Sequence, residues 1–88
     1  MLTSANRVTD QVQAVAVRFN DKRLIITLND EREISVVIDK IDWLSWLAKA
    51  TPEQRANWSI EPGGFAVYWE DLDDGVELIH LLTMQPLA

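Results

Sequence analysis

The chain is organised around residues 63–76, which read GGFAVYWEDLDDGV. Two glycines open this stretch, three aromatic residues follow and four acids close it. Successive residues of a strand point to opposite faces, so such a segment can be both the last strand of a core and the rim of a binding surface. It predicts a strand over residues 65–69 that runs into an acidic turn. The residue types alone do not separate the two uses.

Alternating apolar residues upstream predict a three-stranded antiparallel meander. Residues 12–19, 22–28 and 33–38 each alternate with period two, and turn-forming residues separate them. Ile25 and Val37 place apolar side chains on the second face of this meander as well. We therefore expect another element or a second copy of the chain to cover that face, and a homodimer is one expectation.

Helical segments are predicted after the meander. Asp39 and Asp42 are both suitable N-caps for a helix that ends near residue 50. Its apolar residues spread over a broad arc, and Trp46 lies at the edge of that arc, where we expect it to be half exposed. The sequence TPEQ at residues 51–54 then predicts a capping box at the start of one or two helical turns.

The remainder predicts a hairpin and a closing segment. Residues 58–60 and 65–69 are expected to pair across a Pro-Gly-Gly turn. Parity places three residues of the second strand in the core: Phe65, Val67 and Trp69. Residues 76–82 suit either a strand or a helix; we expect a short helix, capped by Asp73 or Asp74, with Val76, Ile79 and Leu82 on one face.

The predicted fold class is therefore α+β: a three-stranded antiparallel meander, a helix plus a short helical turn, a C-terminal β-hairpin and a short closing helix. With 88 residues there is room for one core. We expect a flexible N-terminus over residues 1–10 and a single domain over residues 11–88. The chain has no cysteine, signal-peptide pattern or long apolar run, so we expect a cytoplasmic protein without membrane contact.

Charge is distributed unevenly along the chain. Residues 1–55 hold eight acids and eight bases, whereas residues 56–88 hold six acids and no Lys or Arg. Because phosphate backbones require clustered cations, this distribution argues against direct binding of nucleic acid by the C-terminal part. It is compatible with a basic small protein partner. The simpler interpretation is a solvated acidic rim that keeps a small protein soluble.

Catalytic and metal sites are not indicated. His80 is the single histidine and lies in an apolar segment without a placed serine partner. A calcium loop that begins at Asp71 would need an oxygen ligand at position 75 and glycine at 76, where the chain has Gly75 and Val76. Glu70 and Asp73 could form a carboxylate pair, but so small a domain offers little cleft. We predict no catalytic residue, metal or cofactor.

Several segments together resemble a known family. They are residues 47–58 (LAKATPEQRANW), then Gly64, Val67, Trp69, Leu72-Asp73 and Leu81-Leu82. The pattern is similar to the domain of unknown function 2442, a family of small bacterial proteins. The resemblance implies no established activity. Such domains occur alone or fused to a helix-turn-helix, and often beside another small protein, in the manner of toxin–antitoxin or regulatory pairs. Relatives commonly carry histidine where this chain has Tyr68.

The predicted function is a non-catalytic protein-interaction or regulatory module of a small bacterial protein pair, and not an enzyme. We expect five residues to form the partner-binding patch: Tyr68, Glu70, Asp71, Asp73 and Trp46. Aromatic side chains supply affinity in such patches, while acids at the rim steer association. The alternative is a small-molecule or cation-binding subunit of an enzyme.

Overall fold

The computed structural model describes residues 12–83. Its first part is the predicted meander, which forms a three-stranded antiparallel sheet in the order β1-β2-β3 and is called sheet 1 below. The register shifts between Ala14 and Ala16, so Val15 forms a bulge and its side chain is 52% exposed. The strands are β1 (Ala14–Asn20), β2 (Arg23–Leu28) and β3 (Glu33–Val37).

The predicted helix after the meander is wrong in length and in its caps. The chain instead forms two 3₁₀ turns, Ile38–Lys40 and Asp42–Leu44, and the short helix α1 (Ser45–Ala48). Ile41 between the turns is extended, and neither Asp39 nor Asp42 makes a side-chain capping bond. Because the helical segment is interrupted at Ile41, the side chains of three residues enter the core and have no exposed surface: Ile38, Leu44 and Leu47. Tertiary packing thus overrides a helical pattern of moderate propensity.

The predicted capping box is confirmed. It begins helix α2 (Pro52–Ala56), where the Gln54 backbone N–H donates to Thr51 Oγ1 at 3.1 Å and the Thr51 N–H donates to Gln54 Oε1 at 2.9 Å. Two backbone donors of a helix start are satisfied in this way. The predicted hairpin follows directly, as β4 (Trp58–Ile60) and β5 (Ala66–Trp69).

The closing segment is a strand followed by a helix. The two alternatives for residues 76–82, a strand or a helix, are therefore each correct for part of the segment. Strand β6 (Asp74–Glu77) pairs with β5 and completes a second antiparallel sheet in the order β4-β5-β6, sheet 2. Helix α3 (Leu78–Leu82) follows. Because residues 74–77 are committed to the sheet, the N-cap position is Glu77, not Asp73 or Asp74, and it makes no side-chain bond.

Both sheets and the helical segments contribute to one hydrophobic core. Strand β1 of sheet 1 is bonded to the turn that precedes β5 of sheet 2, since the Ala14 N–H donates to the Gly64 carbonyl at 2.7 Å. Gly64 has φ +75°, and a Cβ there would lie 2.5 Å from Cβ of Gln13. Only glycine combines that conformation with so close an approach.

Two residues that were expected in the core are at the surface. Phe65 precedes β5 and is 51% exposed, and Ile79 is 60% exposed. The helical phase of α3 starts at Leu78, so Leu78 and Leu81 face the core instead. Val67, Trp69 and Val76 are buried, as the sequence predicts.

On the second face of sheet 1, Ile25 is covered from within the chain. Ile25 is only 6% exposed, and it lies between its strand partners Arg18 and Ser35. Arg18 reaches from β1 across β2 and donates to Glu33 of β3 at 2.7 Å. This bond raises the pKa of Arg18 and lowers the pKa of Glu33. The burial of Ile25 therefore requires no second copy. Within residues 12–83, no helix is long and apolar enough to cross a membrane.

Candidate protein-interaction surface

Sheet 2 has one face in the core and one face that its own small residues leave open. Trp69 and Trp58 are paired and point inward, as do the apolar residues of the next row. Alternation then sends the neighbouring row to the other side. The residues of this outer face are Ser59, Ala66, Tyr68, Gly75 and Glu77.

Tyr68 is the one aromatic residue on the outer face and is half-buried there. Its strand partners are Ser59 and Gly75, which are both small and exposed. A Cβ at position 75 would lie 2.7 Å from the Val67 carbonyl oxygen and 3.4 Å from Cδ1 of Tyr68. Glycine therefore allows the tyrosine ring to lie beside the backbone of β6.

The hydroxyl of Tyr68 is fixed by an acid of the following turn. It donates to Asp73 Oδ1 at 2.6 Å. Asp73 ends the 3₁₀ turn Glu70–Leu72 in the left-handed conformation, φ 51° and ψ 44°, which points the chain back along β6. The bond to Asp73, followed by desolvation and the charges of Asp73, Glu70 and Glu61, raises the pKa of Tyr68. The phenol is therefore held in its neutral, donating form.

The acids around Tyr68 form no salt bridge with any Lys or Arg of residues 12–83. Residues 56–83 contain six acids and no Lys or Arg. Within the part of the chain that the structure describes, none of these six forms a salt bridge with Lys or Arg, and Glu77 alone lies near a histidine, with its Oε1 3.4 Å from His80 Nε2. The remaining acids of this group are all exposed: Glu61, Glu70, Asp71, Asp73 and Asp74.

The predicted patch is brought together only in part. Tyr68 and Asp73 are in contact, Glu70 acts on Tyr68 through its charge, and Asp71 is exposed in the same turn. Trp46 lies on the opposite side of sheet 2, where its ring meets the edge of Trp69 with centroids 5.7 Å apart.

Trp46 is half-buried, and its Nε1 donates to the Trp43 carbonyl at 2.9 Å. The more exposed tryptophan of this segment is Trp43, at 43%. Its ring meets His80 edge-on, with centroids 6.1 Å apart. Trp46 therefore serves the core and does not adjoin Tyr68.

An apolar groove lies next to the outer face and was not predicted from the sequence. It has a volume of about 620 Å³. Phe65 and Ile79 stand at its sides, and the sequence pattern had assigned both to the core. Their exposure depends on the turn before β5 and on the phase of α3, for which the sequence contains no signal. The residues that form it include Phe65, Ala66, Glu77, Leu78, Ile79 and Leu82.

The segment Arg55-Ala56-Asn57-Trp58, which carries part of the family resemblance, has a structural role here. Arg55 donates from Nε to the Leu47 carbonyl at 3.1 Å and from Nη2 to the Ala48 carbonyl at 2.9 Å, so it closes the C-terminus of α1. Its guanidinium lies 5.5 Å from the ring centroid of Phe19. Its own carbonyl accepts from Trp69 Nε1 at 2.9 Å.

A second, smaller groove of about 340 Å³ lies between β1 and α2 and includes Arg18 and Arg55. Both guanidiniums are already engaged, by Glu33 and by the carbonyls of α1. Among residues 12–83 there is no group of three or more His, Asp or Glu residues that could hold a metal ion.

Comparison with known proteins gives one family and two solved structures. The profile of the family described as "Protein of unknown function (DUF2442)" matches residues 14–83. No curated protein sequence gives a significant match. An uncharacterised protein from Chromobacterium violaceum, solved by solution NMR, is 28% identical, with a TM-score of 0.70 over 93% of this chain and 77% of that one.

A protein of unknown function from Rhodospirillum rubrum, solved by crystallography, superposes with a TM-score of 0.69. It is 22% identical, and the match covers 82% of this chain and 86% of that one. At this identity the likeness concerns the fold alone.

Proposed function

The chain belongs to the DUF2442 family, and we propose that it is a non-catalytic protein-interaction or regulatory module that binds a basic protein partner through the outer face of sheet 2. The observation that carries this proposal is Tyr68, held on an open sheet face beside carboxylates that form no salt bridge with Lys or Arg within residues 12–83. We further propose a cytoplasmic protein pair, since the chain has no cysteine to form disulfides.

The aromatic ring and the acids have different tasks in this proposal. A Lys or Arg of the partner over the ring of Tyr68 gains a cation–π interaction of about 0.5–2 kcal/mol. The bond to Asp73 fixes the ring before the partner arrives, so less side-chain entropy is lost on binding. Glu70 and Asp71 accelerate encounter with a basic surface through their charge, and this effect is reduced by salt.

A photo-crosslinking experiment tests the proposal. The photoreactive residue p-benzoylphenylalanine replaces Tyr68 in one variant and Ser35, an exposed residue on the second face of sheet 1, in the control. Irradiation in the native cells should capture one protein at position 68 through a segment of net positive charge, and the control should not capture it. The proposal is wrong if both positions capture the same proteins equally.

Binding measurements with the captured protein separate the two tasks. Tyr68→Ala should weaken binding by about 1–3 kcal/mol while the domain stays folded. Neutralising Glu70, Asp71 and Asp73 together should slow association and flatten its salt dependence. Parent-like binding by both variants would contradict a role for this face.

The alternative, a small-molecule or cation-binding subunit of an enzyme, has one observation in its favour. The volume of the apolar groove, about 620 Å³, lies within the range of small-molecule sites. However, Glu77 is its one charged or polar side chain among the described residues, and specific ligand sites use several convergent polar groups. The protein-binding proposal is therefore the better supported of the two.

A further inference from the structure

The apolar groove exposes large side chains side by side. Phe65 and Ile79 are each more than half exposed, Leu82 is half-buried, and Leu78 lies buried between them and the core. Single exposed apolar residues are ordinary on protein surfaces, whereas grouped ones mark places where another molecule binds. The groove therefore needs an explanation of its own.

The sides of the groove are held in place by the backbone. The Leu78 N–H, at the start of α3, donates to the Phe65 carbonyl at 2.7 Å and ties the two segments together. On the far side of the phenylalanine ring, a Cβ at Gly63 would lie 2.9 Å from Cε2 of Phe65. The ring is thus packed against a glycine turn, and the groove exists before any partner binds.

The groove continues into the outer face of sheet 2. Ala66 and Glu77 belong to both, and they lie two residues along their strands from Tyr68 and Gly75. Two strand residues span about 7 Å, so one short peptide segment can reach from the groove to the tyrosine ring.

We propose that the groove is the anchor site for an amphipathic, basic segment of a protein partner. A large apolar side chain of that segment inserts between Phe65 and Ile79, and its neighbouring Lys or Arg residues lie over Glu77 and the ring of Tyr68. This inference rests on the proposed function and adds the chemistry of the bound segment: apolar and cationic residues together.

Charge complementarity decides between the candidate occupants. Glu77 lies in the groove itself, and every charged residue of the surrounding stretch 56–83, His80 aside, is an acid. A second copy, with a net charge of −6, would bring like charges together. An anionic membrane and a nucleic acid would be repelled for the same reason. A basic protein segment is the occupant that neutralises these acids.

Two synthetic peptides of equal length and charge test the inference. One alternates lysine and leucine so that leucines share one side, and the other carries serine in place of every leucine. Calorimetric titration of the full chain should give a dissociation constant about tenfold lower for the leucine peptide. Ile79→Ser and Phe65→Ser should each remove most of that preference.

Val15→Ser is the matched control, because Val15 is an equally exposed apolar residue outside the groove. It should leave both dissociation constants within about twofold of the parent. Circular dichroism checks that each variant is folded. Both groove variants, Ile79→Ser and Phe65→Ser, are measured so that the test stands if one of them does not fold.

The outcomes separate this inference from the proposed function. If both peptides bind equally and Tyr68→Ala weakens both, the groove inference is wrong and the Tyr68 face stands. If the leucine preference is lost in Ile79→Ser but unaffected by Tyr68→Ala, the groove stands and the Tyr68 face is wrong. If neither peptide binds more tightly than about 1 mM, both are overturned.

Discussion

At the scale of the residue, Trp69 contacts more than one element of the fold. Its side chain is fully buried, its Nε1 donates to the Arg55 carbonyl, and its ring makes T-shaped contacts with Phe19 and Trp46. The tryptophan thus joins sheet 1, α1, α2 and sheet 2. Its neighbour Tyr68 is also aromatic but points to the other face of the sheet. Substituting Trp69 should therefore affect stability, whereas substituting Tyr68 should affect partner binding.

Trp69→Ala should lower the free energy of unfolding by about 3–5 kcal/mol, because it leaves a cavity and an unsatisfied carbonyl in the core. Trp43→Ala is the control: at 43% exposure it should cost less than about 1.5 kcal/mol. Urea unfolding followed by circular dichroism gives both values. Equal losses in the two variants would show that Trp69 has no special place in the core.

Tyr68 should titrate above the ordinary tyrosine pKa of 10.0. It is the single tyrosine of the chain, so the ultraviolet absorbance of its phenolate reports it alone. Asp73→Gly removes the acceptor while keeping a residue that tolerates the left-handed backbone, and the pKa should fall toward the ordinary value. Asp71→Asn, which removes a charge outside this bond, should leave the pKa nearly unchanged.

The sign of the linked stability follows from that shift. Since the folded pKa of Tyr68 is raised above its unfolded value, the bond to Asp73 stabilises the fold fully below the unfolded pKa. Its contribution is lost as the pH rises through the folded pKa. The difference in stability between parent and Asp73→Gly should therefore narrow in strongly alkaline solution. A difference that widens there would contradict the assignment.

At the scale of the element, helix α1 depends on a residue outside it. With four residues it is too short to be stable alone, and its last carbonyls are bound by Arg55 of α2. Arg55→Lys should lower the free energy of unfolding by about 1.5–3 kcal/mol, because an ammonium cannot reproduce the two directed bonds of the guanidinium.

Arg32→Lys is the matched control for that element. Arg32 pairs only with Asp30 on the surface, and such pairs contribute at most about 1 kcal/mol. Chemical denaturation compares the two variants. If Arg55→Lys is as stable as Arg32→Lys, then Arg55 does not hold α1 in place.

At the scale of the whole molecule, we expect no metal to stabilise the fold. The acidic turn lacks the oxygen ligand and glycine that a calcium loop needs at positions 75 and 76. An ion that binds the native state selectively would raise the melting temperature. Thermal unfolding with millimolar calcium or zinc should therefore match unfolding with chelator. A rise of several degrees with either ion would show that a site exists.

The homodimer expected from the second face of sheet 1 stays a prediction. Of the two residues that motivated it, Ile25 is covered within the chain and Val37 is half-buried. A stable interface buries about 1,200–2,000 Å² in total, so most of that area would come from the polar residues of this face. Sedimentation at rising concentration is the measurement, with Val37→Lys expected to dissociate the dimer. A strict monomer at all concentrations rules it out.

The sequence by itself determined the elements whose signals are local. Period-two alternation predicted the three strands of sheet 1 apart from the bulge at Val15, because a shift of one residue would turn the apolar side chains to the wrong face. The residues of the capping box at Thr51 and Gln54 bond to each other over one helical turn. Parity within β5 likewise assigned Trp69 to the core and Tyr68 to the outer face, because neighbours in a strand alternate.

Only the tertiary structure decided what depends on distant residues. The helical segment is interrupted at Ile41 so that its apolar side chains reach a core that both sheets share. Arg55 binds the last carbonyls of α1, which belong to residues seven and eight positions earlier in the chain. Trp46 was separated from Tyr68 because they lie on opposite sides of sheet 2. Phe65 lies at the surface because β5 begins only at Ala66, and Ile79 does so because Leu78 and Leu81 occupy the buried side of α3. For these residues, burial depends on how distant elements pack together, which a local pattern does not specify.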